Sequence, residues 1–397
     1  MALSTQLATS WPYLRLYALA FLFFSANAIL NVIVPIRSES MGASNTMIGI
    51  IMGTYMLTCM LFRPWAGHIV HKYGAAKVLR VLLIINGGAL ILYTVTGLHG
   101  FIVARLLQGA STAFFSMALQ IAIIESLSDE QRSQGVSLYS LFTYMPTIVG
   151  PLIALGIWGW GGMQAFTVTM IAIAVITGLF GYRTRIDHVS SGREEEKTGQ
   201  GVLKAVSKLV RQPDLLICSV LMFAASVVFG SVAFFIPLYV NQVEYGNAGI
   251  YFMLQAGVIV LSRFMFRKRV PSDGKWHPRF VSGIMLLAAV AAMLLSISAT
   301  AGPLFLYLAA ILMGIAQAML YPTLTTYLTF VLPTSSRNIM LGIFIASADL
   351  GVSLGGVAMG PIADLMSFSV VYMLCSCIVI ITAGLAVLYN KRLNRYV

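Results

Sequence analysis

The sequence predicts an all-α membrane protein with twelve transmembrane helices, arranged as two pseudo-symmetric six-helix bundles. The chain of 397 residues is 59% hydrophobic and only 10% charged, with a mean hydropathy of +0.88. Soluble domains carry about 25% charged residues, so a chain this apolar has the lipid bilayer as its solvent. Its apolar runs are long and continuous, which favours helices over the short alternating segments of a β-barrel.

Twelve stretches each supply the ~20 mostly apolar residues that one helical span requires. The first stretch continues well beyond a signal-peptide core and has no small-residue cleavage site, so we interpret it as a span. The predicted spans cover residues 13–36, 46–69, 77–97, 100–126, 134–159, 163–182, 214–241, 246–267, 279–299, 302–330, 338–361 and 367–390.

The distribution of basic residues predicts the membrane topology. The chain carries 25 Lys and Arg against 13 Asp and Glu, a formal net charge of +12. If both termini are cytoplasmic, all Lys and Arg except Arg37 and Arg105 fall in cytoplasmic segments or at cytoplasmic span ends. This is the positive-inside asymmetry of multi-pass proteins. The charge therefore indicates a plasma-membrane protein in contact with the lipid bilayer, and it argues against a nucleic-acid partner.

A polar stretch divides the chain into two halves. The sequence RTRIDHVSSGREEEKTGQG, residues 183–201, is charged and poor in apolar residues, which is typical of a linker. Residues 202–211 combine apolar and basic side chains and predict a short amphipathic helix on the membrane surface. We therefore expect six-helix bundles over residues 1–182 and 214–397, joined by a cytoplasmic linker over residues 183–213.

The two halves resemble each other in one basic segment. Arg63 and Gly74 follow the second predicted span, and Arg263 and Gly274 follow the eighth span at the same spacing. Parallel six-helix repeats bind their substrate where the halves meet, near the membrane midplane. The pattern therefore predicts a transporter with a central site.

The loop after the second span carries a family motif. In GHIVHKYG, the residues Gly67, Lys72 and Gly74 match a Gly-x-x-x-Asp-Arg/Lys-x-Gly pattern, and His71 stands in place of the Asp. With this and the motifs below, the whole chain resembles the major facilitator superfamily. The resemblance implies that the loop gates the cytoplasmic side through a charge network. His71 either makes that network pH-sensitive, or the loop needs only its glycine turn and positive charge.

Two further motifs carry the same resemblance. In the fourth span, RLLQG places Arg105, Gln108 and Gly109 as in the family's Arg-x-x-Gln-Gly pattern. In the fifth span, Gly150 and Pro151 match the centre of the antiporter motif, although its flanking glycines are replaced. These two residues are expected to bend their helix. The chain is thereby similar to drug:proton antiporters and, within the superfamily, to the staphylopine class of opine-type metallophore exporters.

Arg105 lies inside a span, where an unshielded guanidinium is costly. Insertion scales place Arg at roughly +2.5 to +3.5 kcal/mol at the centre of a membrane helix. Residues three or four positions apart share a helix face, so Arg105, Gln108 and Thr112 form a polar stripe that must face other helices or a wet cavity. The alternative is that Arg105 extends to the membrane surface. Because a guanidinium binds carboxylates and phosphates, we expect an anionic or zwitterionic substrate.

Polar side chains on other spans are expected to complete the substrate site. For any one of them alone, a hydrogen bond between helices, worth about 0.6 kcal/mol on average, is an equally good explanation. Together they predict a water-accessible pocket for a small molecule. The predicted binding residues outside the stripe are Asn27, Asn31, Tyr55, Tyr144, Gln255, Gln317 and Tyr321.

Two carboxylates are candidates for proton coupling. Asp349, in IASADLGVSLGG, is the acid most clearly within a span, and a carboxyl there can bind and release a proton as access alternates. The alternative is an Asp that bonds to a neighbouring helix in a glycine-rich, closely packed span. Glu125, at the inner end of the fourth span, is the second candidate, with a role at the cytoplasmic gate as its alternative.

These features predict a secondary exporter of a small anionic or zwitterionic molecule, driven by protons through alternating access. The resemblance implies an opine-type metallophore as substrate. A multidrug efflux antiporter and a nutrient importer are the alternatives, because a fold does not fix direction. The four Cys match no metal motif and no catalytic constellation or ATP-binding loop is evident. We therefore expect no enzymatic activity, cofactor or metal, and the resemblance implies a monomer.

Overall fold

The computed structural model describes residues 9–127, 129–182, 212–243, 245–266, 269–271, 273–333 and 337–393. These residues form long α-helices joined by short connections, and eleven helices within them are long and apolar enough to cross a membrane. The predicted all-α membrane fold is confirmed. Nearly all of the predicted linker lies outside the described residues, as do the side chains of His71 and Glu125.

The helix boundaries lie close to the predicted spans. Before the linker, the helices are Trp11–Ser40 (α1), Asn45–Tyr73 (α2), Ala75–Val95 (α3), Leu98–Ser126 (α4) and Asp129–Tyr182 (α5). After the linker, they are Pro213–Val243 (α6), Ala248–Met265 (α7), Pro278–Ala301 (α8), Pro303–Val331 (α9), Arg337–Val357 (α10), Met359–Leu365 (α11) and Phe368–Leu393 (α12).

Two helices differ from the predicted span boundaries. The fifth and sixth predicted spans both lie within the 54 residues of α5, which consist of two helices joined across a kink. The helical geometry of α5 is interrupted at Gly162, where φ is 50° and ψ is −128°. The predicted eleventh span is likewise divided at Ala358, between α10 and α11.

Glycines with positive φ mark the connections that lead to the third helix of each half. Gly74, with φ of 81°, separates α2 from α3, and Gly274, with φ of 72°, precedes α8 by a few residues. Side chains other than Gly rarely adopt such a conformation. Gly74 and Gly274, which the sequence pattern paired, therefore both allow a positive φ in corresponding connections.

The helices group into two compact units. The first unit comprises Met1–Val34 with Leu57–Thr198, and the second comprises Pro35–Met56 with Gly199–Val397. The end of α1 and the first part of α2 thus pack within the second unit. The predicted division of the chain at residues 183–213 stays a prediction.

Aromatic and aliphatic side chains fill the first unit. The rings of Phe23 in α1 and Phe115 in α4 stack with their centroids 3.9 Å apart and nearly parallel. Leu79 and Leu83 of α3 belong to the same buried cluster. This cluster fixes α1 and α3 against α4, the helix that carries Arg105.

The second unit relies on direct contact between helix backbones. A methyl group at Gly355 of α10 would lie 2.4 Å from the Val227 carbonyl oxygen of α6. On another face of α10, a methyl at Gly356 would lie 2.7 Å from the Gly49 carbonyl oxygen of α2. Small residues of this kind let membrane helices approach closely, so close packing is the structural reason for the glycines.

Candidate functional site

Arg105 is the centre of a polar cluster inside the first unit. Its side chain is 0% exposed. Nη1 donates hydrogen bonds to Asn27 Oδ1 and Gln108 Oε1, each at 3.4 Å, and Nη2 donates to the Leu30 carbonyl oxygen at 3.3 Å. The cluster therefore joins α4 to α1 through Asn27 and Leu30, and Gln108 contacts Arg105 within α4, as their spacing predicts.

Tyr93 of α3 is a further member of this cluster that the sequence analysis missed. Its hydroxyl donates to Gln108 Oε1 at 3.0 Å, and its ring centroid lies 5.8 Å from the Arg105 guanidinium carbon. A cation this close to an aromatic ring is attracted to it. A lone Tyr in the apolar sequence of α3 is typical of packing, so its spacing alone gave no signal.

The contacts of Arg105 suit a group that binds an anion. Ordinary N–H···O hydrogen bonds measure 2.7–3.2 Å, so the hydrogen bonds of Arg105 to Asn27, Gln108 and Leu30, at 3.3–3.4 Å, are long. Their acceptors are neutral amides and a carbonyl, which bind a guanidinium less strongly than a carboxylate does. A carboxylate or phosphate that reached Arg105 would therefore form shorter and stronger bonds than these acceptors do.

The predicted pocket is not open at Arg105. Gln108 is 1% exposed and Thr112 is 7% exposed, and the Thr112 hydroxyl donates to the Gln108 carbonyl oxygen within α4 at 2.8 Å. The polar stripe therefore faces neighbouring helices, which is one of the two predicted orientations. Arg105 does not extend to the membrane surface. Asn31 of α1 and Tyr144 of α5 are half-buried in the same unit.

The predicted binding residues of the second unit include one hydrogen-bonded pair. Gln255 of α7 donates through Nε2 to Gln317 Oε1 of α9 at 3.2 Å. Tyr321, one turn further along α9, packs against Phe344 of α10 with ring centroids 5.8 Å apart. Tyr55 is buried in the part of α2 that belongs to this unit.

The candidate proton-coupling residue Asp349 is also buried in the second unit. It lies on α10 two residues before Gly351, and it is 9% exposed. A methyl group at Gly351 would lie 2.5 Å from the Phe223 carbonyl oxygen of α6. The structure therefore places Asp349 in a closely packed part of the membrane helix, where it is shielded from solvent.

The positions of the His, Cys, Asp and Glu side chains show whether they could hold a metal ion. Among the described residues, no group of three His, Cys, Asp or Glu side chains is placed to hold a metal ion. An ion pair between His277 and Asp273, at 2.9 Å, lies in the loop before α8. The hydrogen bond with His277 lowers the pKa of the Asp273 carboxyl.

Comparison with known proteins identifies the family. The sequence profile of the Major Facilitator Superfamily matches residues 16–300 and 273–395. The chain belongs to the major facilitator superfamily. It is accordingly a multi-pass membrane transporter, and superfamily membership implies a small-molecule substrate.

Two relatives align with almost the whole chain. The staphylopine export protein of Staphylococcus aureus is 49% identical over 376 residues, which cover 94% of this chain and 95% of that protein. Multidrug resistance protein 2 of Bacillus subtilis is 22% identical over 381 residues, which cover 94% of each.

Solved structures of major facilitator transporters share the fold. The nucleoside transporter NupG has a TM-score of 0.75 at 14% identity, covering 94% of this chain and 98% of that chain. The human organic anion transporter MFSD10 has a TM-score of 0.65 at 15% identity, with the same coverage. At these identities the likeness concerns the fold alone.

The superfamily motifs occupy two kinds of position in this transporter. A methyl at Gly150 of α5 would lie 2.5 Å from the Ala28 Cβ of α1, so Gly150 brings these helices together, and Pro151 follows it within α5. Gly67, by contrast, has no neighbour within 4 Å of its Cβ position, and Lys72 is exposed. The predicted gating roles of these residues stay predictions.

A second carboxylate, Asp364 of α11, has a contact that the sequence analysis did not anticipate. Its Oδ1 accepts from the Asn45 amide at 2.7 Å, and its Oδ2 accepts from the Thr46 amide at 2.8 Å and the Thr46 hydroxyl at 2.5 Å. Amide groups at the first turn of a helix have no partner within the helix. Asp364 therefore caps α2 from a position 319 residues away.

Proposed function

We propose that this major facilitator protein is a proton-coupled exporter of a small anionic or zwitterionic organic molecule, an opine-type metallophore of the staphylopine class. The proposal draws on the 49% identity to a staphylopine export protein along nearly the whole of both chains. Export proceeds by alternating access, in which a substrate site opens to one side of the membrane at a time.

The observation that carries the substrate class is the buried cluster around Arg105. A guanidinium enclosed by helices is costly in a membrane protein, so such residues are by default functional. The long bonds to Asn27, Gln108 and Leu30 leave room for a stronger partner. A substrate carboxylate supplies that partner, and amide groups such as Gln108 orient it. Thr112, Asn31, Tyr55, Tyr144, Gln255, Gln317 and Tyr321 are the other proposed contacts.

Proton coupling is assigned to Asp349. It is a buried carboxyl on a membrane helix, and its protonation would remove a charge from an environment that disfavours one. In the proposed cycle, proton binding and substrate binding alternate as the site changes sides. Glu125, whose side chain lies outside the described residues, is the second candidate.

The topology in this proposal has twelve spans with both termini in the cytoplasm. The break at Gly162 divides the 54 residues of α5 into two segments, each of which is long enough to cross a ~30 Å hydrocarbon core. Counting α5 twice among the eleven candidate spans gives twelve. The positive-inside distribution of Lys and Arg sets the orientation, and a monomer is the proposed state.

The test is flux from proteoliposomes under an imposed pH gradient. The substrates are an opine-type metallophore, the same compound with its carboxylates esterified, and a lipophilic cation. We expect the wild type to move the free acid much faster than the ester. Arg105→Ala should reduce that flux at least tenfold, because it removes the group that binds the carboxylate.

Arg279→Ala is the matched control, since it removes an exposed guanidinium at the beginning of α8. Arg105→Lys keeps the charge but loses the bidentate geometry, and it should retain partial flux if Arg105→Ala unfolds. Flux of the free acid that is equal in wild type and Arg105→Ala would contradict the assigned role of Arg105. Movement of the cation alone would instead support the multidrug alternative.

A further inference from the structure

An open groove runs along the outside of the first unit, between α3 and the last part of α5. Its volume is about 410 Å³. Three of its lining residues are glycines, Gly87 and Gly88 from α3 and Gly178 from α5. Exposed apolar side chains, Ile84 at 77% and Leu179 at 60%, stand beside them. The groove is therefore apolar and accessible from the outside of the helix bundle.

The length of the groove matches one leaflet of a bilayer. Its α3 side extends from Arg80 to Ile91, a rise of about 16 Å at 1.5 Å per residue. The hydrocarbon core of a bilayer is ~30 Å thick, so the groove covers about half of it. A single acyl chain of one leaflet has this extent and this chemistry.

Two of the three glycines of the groove, Gly88 and Gly178, are not explained by helix packing. A methyl at Gly88 or Gly178 would have no neighbour within 4 Å. The neighbouring Gly181 is different, because a methyl there would lie 1.9 Å from Leu83 Cδ1, so Gly181 serves contact between α3 and α5. Gly within a helix is less favourable than Ala by roughly 0.5–1 kcal/mol. Gly88 and Gly178 carry this cost without gaining a contact within the protein. The absence of a side chain at these positions keeps the groove open.

One end of the groove carries a positive charge. Arg80 is exposed there, and its guanidinium carbon lies 5.5 Å from the ring centroid of Tyr182. Tyr is typical of the membrane–water interface, and Arg binds phosphate through paired hydrogen bonds. In the positive-inside topology this end faces the cytoplasmic leaflet, where anionic lipids attract basic residues.

We propose that this groove is a binding site for an anionic phospholipid of the cytoplasmic leaflet. One acyl chain lies between α3 and α5 across Gly88 and Gly178, and the headgroup phosphate binds Arg80. The site is distinct from the cluster around Arg105, and it does not depend on which substrate the transporter moves.

The experiment is native mass spectrometry of the purified full-length protein, titrated with phosphatidylglycerol and with phosphatidylcholine of identical acyl chains. We expect one phosphatidylglycerol to bind the wild type in preference to phosphatidylcholine. Gly88→Leu fills the groove and should lower the occupancy of both lipids about tenfold. Arg80→Gln should leave phosphatidylcholine unchanged and reduce phosphatidylglycerol affinity about fivefold, as expected for one basic residue near an anionic surface.

Matched controls lie on α8. A methyl at Gly283 also meets nothing within 4 Å, and Arg279 is an exposed arginine near the beginning of that helix. Gly283→Leu and Arg279→Gln should leave lipid binding as in the wild type. If Gly88→Leu does not fold, Gly88→Ala supplies the same test, because Ala favours the helix. Its smaller side chain should lower the lipid occupancy less than leucine does.

Three results would overturn the proposal. The first is equal lipid occupancy in wild type and Gly88→Leu, or Gly88→Ala where leucine does not fold. The second is an equal decrease in the α8 controls, which would indicate a general loss of surface lipid. The third is a wild-type dimer that Gly88→Leu converts to a monomer, which would identify a second copy of the chain as the occupant.

Discussion

The polar cluster around Arg105 and the glycine faces of α10 are both buried, but different forces hold them together. Arg105 is connected to its neighbours by hydrogen bonds of 3.3–3.4 Å to neutral groups. At Gly355, the backbones of α10 and α6 are so close that a methyl group would lie 2.4 Å from a carbonyl oxygen. The hydrogen bonds of the first region are long, whereas the second region has no space for even one additional carbon at Gly355.

This difference separates a region suited to binding from a region suited to support. Weak bonds to a buried charge can be replaced by stronger bonds to a ligand. Close backbone contact, in contrast, has no replacement, because interiors are packed without spare volume. Substitutions in the glycine region should therefore damage the fold, whereas substitutions in the Arg105 cluster should damage transport first.

The largest effect is expected for Gly355→Ala. Its methyl group would lie 2.4 Å from the Val227 carbonyl oxygen and 2.7 Å from the Ser231 amide nitrogen, so α10 and α6 must move apart. Overpacking of this kind costs about 1–3 kcal/mol. The measurement is the thermal unfolding of the detergent-solubilised protein, which we expect to begin several degrees lower than in the wild type.

Gly342→Ala is the control on the same helix, because its methyl would meet nothing within 4 Å. It should unfold at or slightly above the wild-type temperature, since Ala has the higher helix propensity. If both variants unfold at the same temperature, α10 and α6 can separate freely and the proposed contrast between the two regions fails.

A smaller effect is expected for Asp364→Ala. The substitution removes the three hydrogen bonds that cap α2 at Asn45 and Thr46. Loss of a helix cap costs about 0.5–2 kcal/mol, so the amides of these two residues should exchange with deuterium roughly two- to thirtyfold faster. Hydrogen–deuterium exchange with mass spectrometry measures these exchange rates.

Asp273→Ala is the comparison for Asp364→Ala. Asp273 is exposed in the loop before α8 and accepts from the Lys275 amide and His277. Its removal should leave exchange at Asn45 and Thr46 unchanged. Unchanged exchange in Asp364→Ala as well would mean that another group caps α2.

The sequence predicted the parts of the molecule that periodicity controls. Hydropathy identified nearly every membrane helix, and spacing along α4 predicted that Arg105 and Gln108 share a face. Asn27 of α1 was predicted as a binding residue from its polar side chain within the first span, and its contact with Arg105 emerged only from the structure. The break at Gly162 lies between the fifth and sixth predicted spans, but the break at Ala358 was missed, since local backbone geometry leaves no trace in hydropathy.

Contacts between residues that are far apart in the sequence were harder to predict. Tyr93 joins the Arg105 cluster through one hydroxyl, but a Tyr in an apolar helix has the same pattern when it only packs. Asp364 binds backbone amides of α2, and backbone groups are identical along the whole chain. Neither partner could be identified from one sequence, because only the packing of the helices selects it.

The smallest effect concerns two hydrogen-bonded side-chain pairs, one in each unit. Gln255 and Gln317 share one hydrogen bond of 3.2 Å. In a double-mutant cycle of Gln255→Ala and Gln317→Ala, we expect a coupling energy of about 0.6 kcal/mol, the average for polar contacts between membrane helices. The measurement is the difference in unfolding free energy among the four proteins.

Tyr93 and Gln108 provide the matched cycle, using Tyr93→Phe and Gln108→Ala. Their bond is 3.0 Å long, and both side chains are buried, whereas Gln317 is only half-buried. A hydrogen bond in buried, low-dielectric surroundings is electrostatically stronger than one in water. We expect the coupling energy of Tyr93 and Gln108 to exceed that of Gln255 and Gln317 by up to about 1 kcal/mol. Equal couplings would mean that the deeper burial of the Tyr93–Gln108 pair does not strengthen its hydrogen bond, and the cluster would then be an ordinary contact between helices.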